Sequence, residues 1–118
     1  MTKIALLTAN VHDYDAVTVL TVTGEVDLFT YPALQNSLDE VVHTQPAALV
    51  LDLRAATFYG PVGVDAIVDA YDVVSLTGDF AVVADDPELD QAFRSMGLCD
   101  GFAVHPTLDE AIAVVRRT

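Results

Sequence analysis

The sequence predicts an α/β domain: a mixed β-sheet with packed helices, in the order β-β-α-β-α-β-α-β-α. Three observations lead there. Short runs rich in Val, Thr and Leu alternate with longer segments whose apolar residues recur at spacings of three and four, the signature of strands interleaved with amphipathic helices. The run Ala47 to Leu53 is apolar almost without interruption, as a strand buried on both faces must be. The first two strand-like runs are separated by a few polar residues only, which gives an opening antiparallel pair before the strand-helix alternation begins. A chain of 118 residues suits one domain, 1–118, since domains commonly run about 100 to 150 residues.

Taken in order, Ile4 to Thr8 is expected to form the first strand and His12-Asp13-Tyr14-Asp15 a polar turn. Val17, Val19 and Thr21 then alternate with Thr18, Leu20 and Val22 in a second strand that ends at Gly24-Glu25-Val26-Asp27. Thr30 is placed to cap a helix with Pro32 in its first turn, where a missing N–H costs little, and with Leu34, Leu38, Val41 and Val42 facing inward. His43-Thr44-Gln45-Pro46 stops that helix, and Ala47 to Leu53 follows as the buried strand.

Asp52 closes the apolar run and leads into a turn-prone segment with two aromatics, Phe58 and Tyr59. Gly60 then serves as N-cap and Pro61 as the first residue of a second helix. Val64, Ile67, Tyr71 and Val74 mark its inner face, and Asp65, Asp69 and Asp72 run along another, as a solvated stripe would. Thr77-Gly78-Asp79 breaks it and Phe80 to Ala84 makes the next strand. Asp86 before Pro87 caps a third helix with Leu89, Ala92, Phe93 and Met96 inward, closed by Gly97. Ala103-Val104-His105 is a short last strand, and Thr107 with Glu110 forms a capping box before Ala111, Ile112, Val114 and Val115.

Charge narrows the function. Eighteen acidic residues against five scattered basic ones give a formal charge of −13, so no patch can neutralise a row of phosphates. The same field opposes approach to anionic membranes and favours a partner with a basic surface. The single Cys99 and the dispersed His12, His43 and His105 offer neither a disulfide nor a metal-ligand spacing, and no apolar run approaches the length of a membrane span. A soluble, unprocessed cytoplasmic protein is expected, with no cofactor and no metal. No nucleophile stands beside a base, so an enzyme is not expected. A phospho-accepting receiver domain is set aside too, because it needs a Lys closing its last strand and the only Lys is Lys3.

The segment from Asp52 to Gly63 resembles the D-L-S-x-V-x-F-x-D-S-S-G motif of STAS domains, and among them of the bacterial anti-sigma-factor antagonists. Asp52, Leu53, Phe58 and Gly63 match, while Gly60, Pro61 and Val62 stand where that family has Asp, Ser and Ser. Gly24-Glu25-Val26-Asp27 is similar to the family's G-E-L-D, and Gly97-Leu98-Cys99-Asp100-Gly101-Phe102 to its G-L-x-x-x-F connection. The resemblance covers nearly the whole chain and implies the same element order.

It also implies a function: binding an anti-sigma factor, a kinase-like protein, so that a sigma factor is released. In the family the first Ser of D-S-S-G takes a phosphate that breaks the complex. Pro61 has no hydroxyl, so that switch is absent from its usual position. The resemblance centres the partner surface on Phe58, Tyr59, Gly60, Pro61, Val62 and Gly63, with Asp27 and Thr30 beside it. Thr57 and Thr30 are the nearest hydroxyls for a displaced phosphosite, although a turn role for Thr57 and a cap role for Thr30 explain both plainly. The alternative function is a non-phosphorylated STAS scaffold or ligand-sensing subunit in another bacterial signalling complex.

Overall fold

A computed structural model describes residues 7–95 and 103–116. Its centre is a five-stranded sheet in the order β1-β2-β3-β4-β5, formed by β1 (Thr8–Tyr14), β2 (Val17–Val26), β3 (Ala48–Phe58), β4 (Asp79–Val83) and β5 (Ala103–His105). β1 and β2 are antiparallel; β2 to β5 are mutually parallel. Between and after them run α1 (Tyr31–His43), α2 (Val62–Val74), α3 (Pro87–Ser95) and α4 (Leu108–Val115).

Strand order explains where the helices lie. Each step from β2 to β5 moves to the next neighbour in one direction, and crossovers between parallel strands keep a single hand, so the three crossover helices fall on the same face. Leu34 and Leu38 of α1, Val64 and Ile67 of α2, and Leu89 and Phe93 of α3 accordingly share one core with Leu20, Leu49, Leu51 and Val82. α4 is not a crossover and closes the other face, where Ala111 and Val115 pack on Val17, Val19, Val50, Ala81 and Val83. Strands buried on both faces read as continuous apolar runs for this reason. Arg116, just past α4, reaches Asp15 at 2.7 Å and ties the chain's end to the β1-β2 turn.

Four boundaries differ from expectation. The turn of the opening hairpin is Asp15-Ala16, both in the left-handed region (φ 48° and 72°), and His12, Asp13 and Tyr14 belong to β1, paired with Val19, Thr18 and Val17. A two-residue turn with both φ positive matches the twist of an antiparallel pair, and an edge strand tolerates polar residues. Of the strand expected at Ile4 to Thr8, residues 4–6 lie outside the described residues. α2 begins at Val62 with Pro61 as N-cap, one residue later than expected, and β4 begins at Asp79 rather than Phe80. Met96, Gly97, Cys99 and the G-L-x-x-x-F segment lie outside the described residues.

The largest difference is in β3, which does not end at Asp52 or Leu53 but runs to Phe58. Pairing with β2 continues, with one irregularity: Thr21 lies opposite Asp52 and Thr23 opposite Ala55, so two steps on β2 face three on β3. This is a bulge with one extra residue. The side chain of Asp52 supports it, since its Oδ1 accepts from the Arg54 amide at 3.2 Å and its carboxylate holds the Arg54 guanidinium at 2.9 and 2.8 Å. Burial pushes the Asp52 carboxyl up, but hydrogen bonds and the charge of Arg54 outweigh it and leave it below the usual carboxylate range.

The bulge changes which residues face the helices. Leu49, Leu51 and Leu53 point to the α1-α2-α3 side; beyond the extra residue it is Ala56 and Phe58 that do. Phe58 is thereby brought beneath the start of α2.

Candidate functional site

Two turns meet where the parallel strands end. The first, Asp27 to Thr30, joins β2 to α1 and is held by side chains. The Asp27 carboxylate accepts from the amides of Phe29 and Thr30 at 2.8 and 2.9 Å. The Thr30 hydroxyl donates to the Glu25 carbonyl at 2.6 Å and accepts from the Asp27 amide at 3.0 Å. The backbone donors of Thr30 and Phe29 hold the Asp27 carboxyl below its usual range, as bonding to the charged form does.

Thr30 sits at the N-cap of α1, yet its backbone is helical and its side chain caps nothing. A cap oxygen must reach forward to the second or third helical amide; this hydroxyl reaches back to β2. It is buried and bonded both ways, which leaves it no room for a phosphate. Thr57 is exposed on β3 opposite Glu25.

The second turn, Tyr59 to Pro61, joins β3 to α2 and is held by packing. The Tyr59 amide donates to the Val26 carbonyl at 2.8 Å, which places the two turns side by side. Gly60 has φ 78°, a left-handed conformation that an L side chain resists, so the site left by the family's Asp is filled by the residue type the backbone favours. No side chain caps α2, and the Asp65 amide closes the first turn on the Pro61 carbonyl at 3.0 Å. At Gly63 an added Cβ would lie 2.5 Å from Val26 Cγ1 and 2.7 Å from the Phe58 ring. The start of α2 rests directly on Phe58 because Gly63 has no side chain.

Of the expected residues, Asp27, Thr30, Tyr59, Gly60, Pro61, Val62 and Gly63 are gathered at this end of the molecule. Phe58 and Gly63 form its floor, while Tyr59 and Pro61 face solvent. Two residues that the periodicity leaves unassigned belong here as well. Leu28 is 70 % exposed and Phe29 91 %, beside Tyr59 at 53 %. Their signal was a Leu-Phe pair inside a turn, off the buried face of α1. Singly exposed apolar residues are ordinary; three large ones on adjoining turns form a patch. A shallow groove of about 280 Å3 lies between the first turns of α1 and α2, lined by Tyr31, Gln35, Val62, Asp65, Ala66 and Asp69. The patch is apolar and its border acidic, suited to a partner with apolar side chains inside a basic rim.

The other singled-out residues take structural places. Arg94 bonds Asp90 one turn earlier at 3.0 Å. Tyr71 meets Phe80 edge-on at 5.6 Å. Thr107 Oγ1 accepts from the Glu110 amide at 3.2 Å. Among the described residues no group of three His, Cys, Asp or Glu side chains converges to hold a metal ion, and no helix is long and apolar enough to cross a membrane.

Comparison with known proteins agrees with this geometry. Residues 8–111 match the family model described as the STAS domain. The anti-sigma-F factor antagonist RsfB of Mycobacterium tuberculosis is 36 % identical over 110 residues, spanning 93 % of this chain and 90 % of that protein. The crystal structure of an anti-sigma factor antagonist from Mycobacterium paratuberculosis superposes with a TM-score of 0.87 at 38 % identity, covering 95 % of this chain and 96 % of the other. SpoIIAA, a Bacillus cell fate determinant solved in its phosphorylated form, superposes with a TM-score of 0.71 at 16 % identity over 92 % of this chain and all 100 % of its own; at that distance the likeness is one of fold.

Proposed function

Since the chain belongs to the STAS domain family, we propose that it acts in the cytoplasm as an anti-sigma-factor antagonist, a regulatory binding protein rather than an enzyme, which occupies a kinase-like anti-sigma factor and so releases a sigma factor. Relatives at 36 % and 38 % identity that carry the antagonist name support the reading. The observation that carries it is the exposed patch of Leu28 and Phe29, on the turn before α1, and Tyr59, on the turn before α2 where the resembling motif lies.

The mechanism is competition for the anti-sigma factor. Phe29 and Tyr59 supply apolar area on turns already fixed by Asp27, Thr30 and Gly63, so little ordering entropy is lost on docking. Pro61 offers no hydroxyl, so a phosphate cannot break this complex at the usual position; release follows from abundance or from another signal.

Recovering the tagged protein from its own cells, with identification of what accompanies it and its intact mass, tests the reading. An anti-sigma factor bound to unmodified protein is the expected result. A different regulatory assembly, or phosphate on Thr57, would overturn it. With the partner in hand, Phe29→Ala and Tyr59→Ala should each weaken binding about tenfold or more while leaving the unfolding free energy within about 0.5 kcal/mol of wild type.

A further inference from the structure

The opposite end of the molecule carries a second surface that antagonism leaves unused. α1 ends at His43 and α2 at Val74, and their last turns enclose, with the residues that follow each helix, a cleft of about 560 Å3 lined by Val42, His43, Gln45, Pro46, Val73, Val74, Leu76 and Thr77. Its apolar walls stand open: Leu76 is 80 % exposed and Val73 52 %. The end of α2 is closed by main-chain bonds from Ser75, Leu76 and Gly78 back to Tyr71, Val73 and Val74, so the exposed Leu76 side chain is not needed to stop the helix.

The fixed charges on the two helices that form this cleft are all acidic, with His43 the one titratable base in its lining. The chain has no Lys or Arg between Lys3 and Arg54 or between Arg54 and Arg94, so α1, α2 and the segments joining them to β3 and β4 carry no fixed cation. Exposed Asp39 stands one turn before His43, and exposed Asp72 four residues before Leu76. Both helices also direct their negative C-terminal poles here, and α2 has no base in its last turn. The result is a largely apolar cleft with His43 at its edge and exposed carboxylates within about a turn of it on both helices.

We propose that this cleft docks a basic amphipathic segment of a partner protein, a Leu- or Ile-type side chain entering against Val42, Val73 and Leu76 while Lys or Arg residues reach Asp39 and Asp72. A second copy of the chain, itself at −13, would bring the same acids and is repelled; so is an anionic lipid surface. Because the cleft and the Phe29-Tyr59 patch lie at opposite ends of the parallel strands, both can be filled at once. One partner would then be tethered while the other is exchanged, the arrangement that raises effective concentration without strengthening either contact.

The test uses two synthetic helical peptides of about fourteen residues and equal charge, one alternating Leu and Lys faces, the other with Ser replacing Leu, titrated into the full chain at about 0.15 M salt. The Leu/Lys peptide should shift the amide resonances of His43, Val73, Leu76 and Thr77 but not those of Phe29 and Tyr59, and Leu76→Ser should weaken it about tenfold. Equal binding of the Ser peptide, shifts spread over every acidic surface, or unchanged affinity of Leu76→Ser would overturn the proposal. So would self-association of the free protein that Leu76→Ser abolishes, since the cleft would then belong to a second copy.

Discussion

The two turns beneath the Phe29-Tyr59 patch reach the same end, a fixed backbone displaying large apolar side chains, by opposite means. The β2-α1 turn is laced by polar side chains: one carboxylate and one hydroxyl serve four main-chain groups between Glu25 and Thr30. The β3-α2 turn has no such lacing. It is fixed by a left-handed glycine, a single main-chain bond to Val26, and a helix seated on Phe58 where no Cβ intervenes. Polar lacing leaves traces in sequence, as an Asp with a Thr three residues on. Packing against a missing atom leaves only a glycine, whose reason appears when its neighbour is known.

The contrast can be broken from the packing side first. Gly63→Val should be the most damaging change, about 3 kcal/mol, since its side chain must displace both Val26 and Phe58. In a domain of this size that lowers the thermal midpoint by roughly 12 °C; an unchanged circular-dichroism melt would mean that α2 is not anchored on Phe58. On the polar side, Thr30→Val should cost about 2 kcal/mol by leaving the Glu25 carbonyl and Asp27 amide unpaired, with Thr30→Ser restoring most of it in urea titrations. Gly60→Ala meets no neighbour and should cost only the left-handed backbone term, about 1 kcal/mol.

Acid sharpens the same comparison. The Asp27 carboxyl is held below its unfolded value, so its contribution is complete above about pH 4 and is lost as pH falls through that value and then through the folded one. The difference in urea midpoint between wild type and Asp27→Asn should therefore be constant from neutral pH down to about 5 and shrink below about 4. A difference that does not shrink at all below pH 4 would show that shape, not charge, holds the turn.

Much of the fold was legible because its elements obey local rules: Leu34, Leu38 and Val41 at helical spacing, Ala48 to Leu51 as an unbroken apolar strand, Asp86-Pro87 as a helix start. The misplacements came where a distant partner decides. Arg54 to Thr57 have no strand-like pattern of their own and remain extended because the second half of β2 pairs with them. His12 to Tyr14 look like a turn until Val17 to Val19 take them as partners. At the site, the Asp52-to-Gly63 motif located the second turn, whereas Leu28 and Phe29 were invisible to periodicity. Exposure is a property of the folded surface, and a Leu-Phe pair reads as core until nothing covers it. Thr30 shows the reverse: the residue type for a cap was in place, and its hydroxyl found β2 first.

The bulge in β3 has a genetic consequence. Because Phe58 faces α2 only through the extra residue between Asp52 and Ala55, the stretch is governed by its count of residues more than by their identity. Exposed Ala55 and Thr57 can be exchanged for many others at small cost. Loss or gain of one codon there would turn Phe58 to the α4 side and take the floor from under Gly63, whereas a change of two would preserve facing. Drift along this segment should accumulate substitutions at Ala55 and Thr57 and tolerate length changes only in pairs.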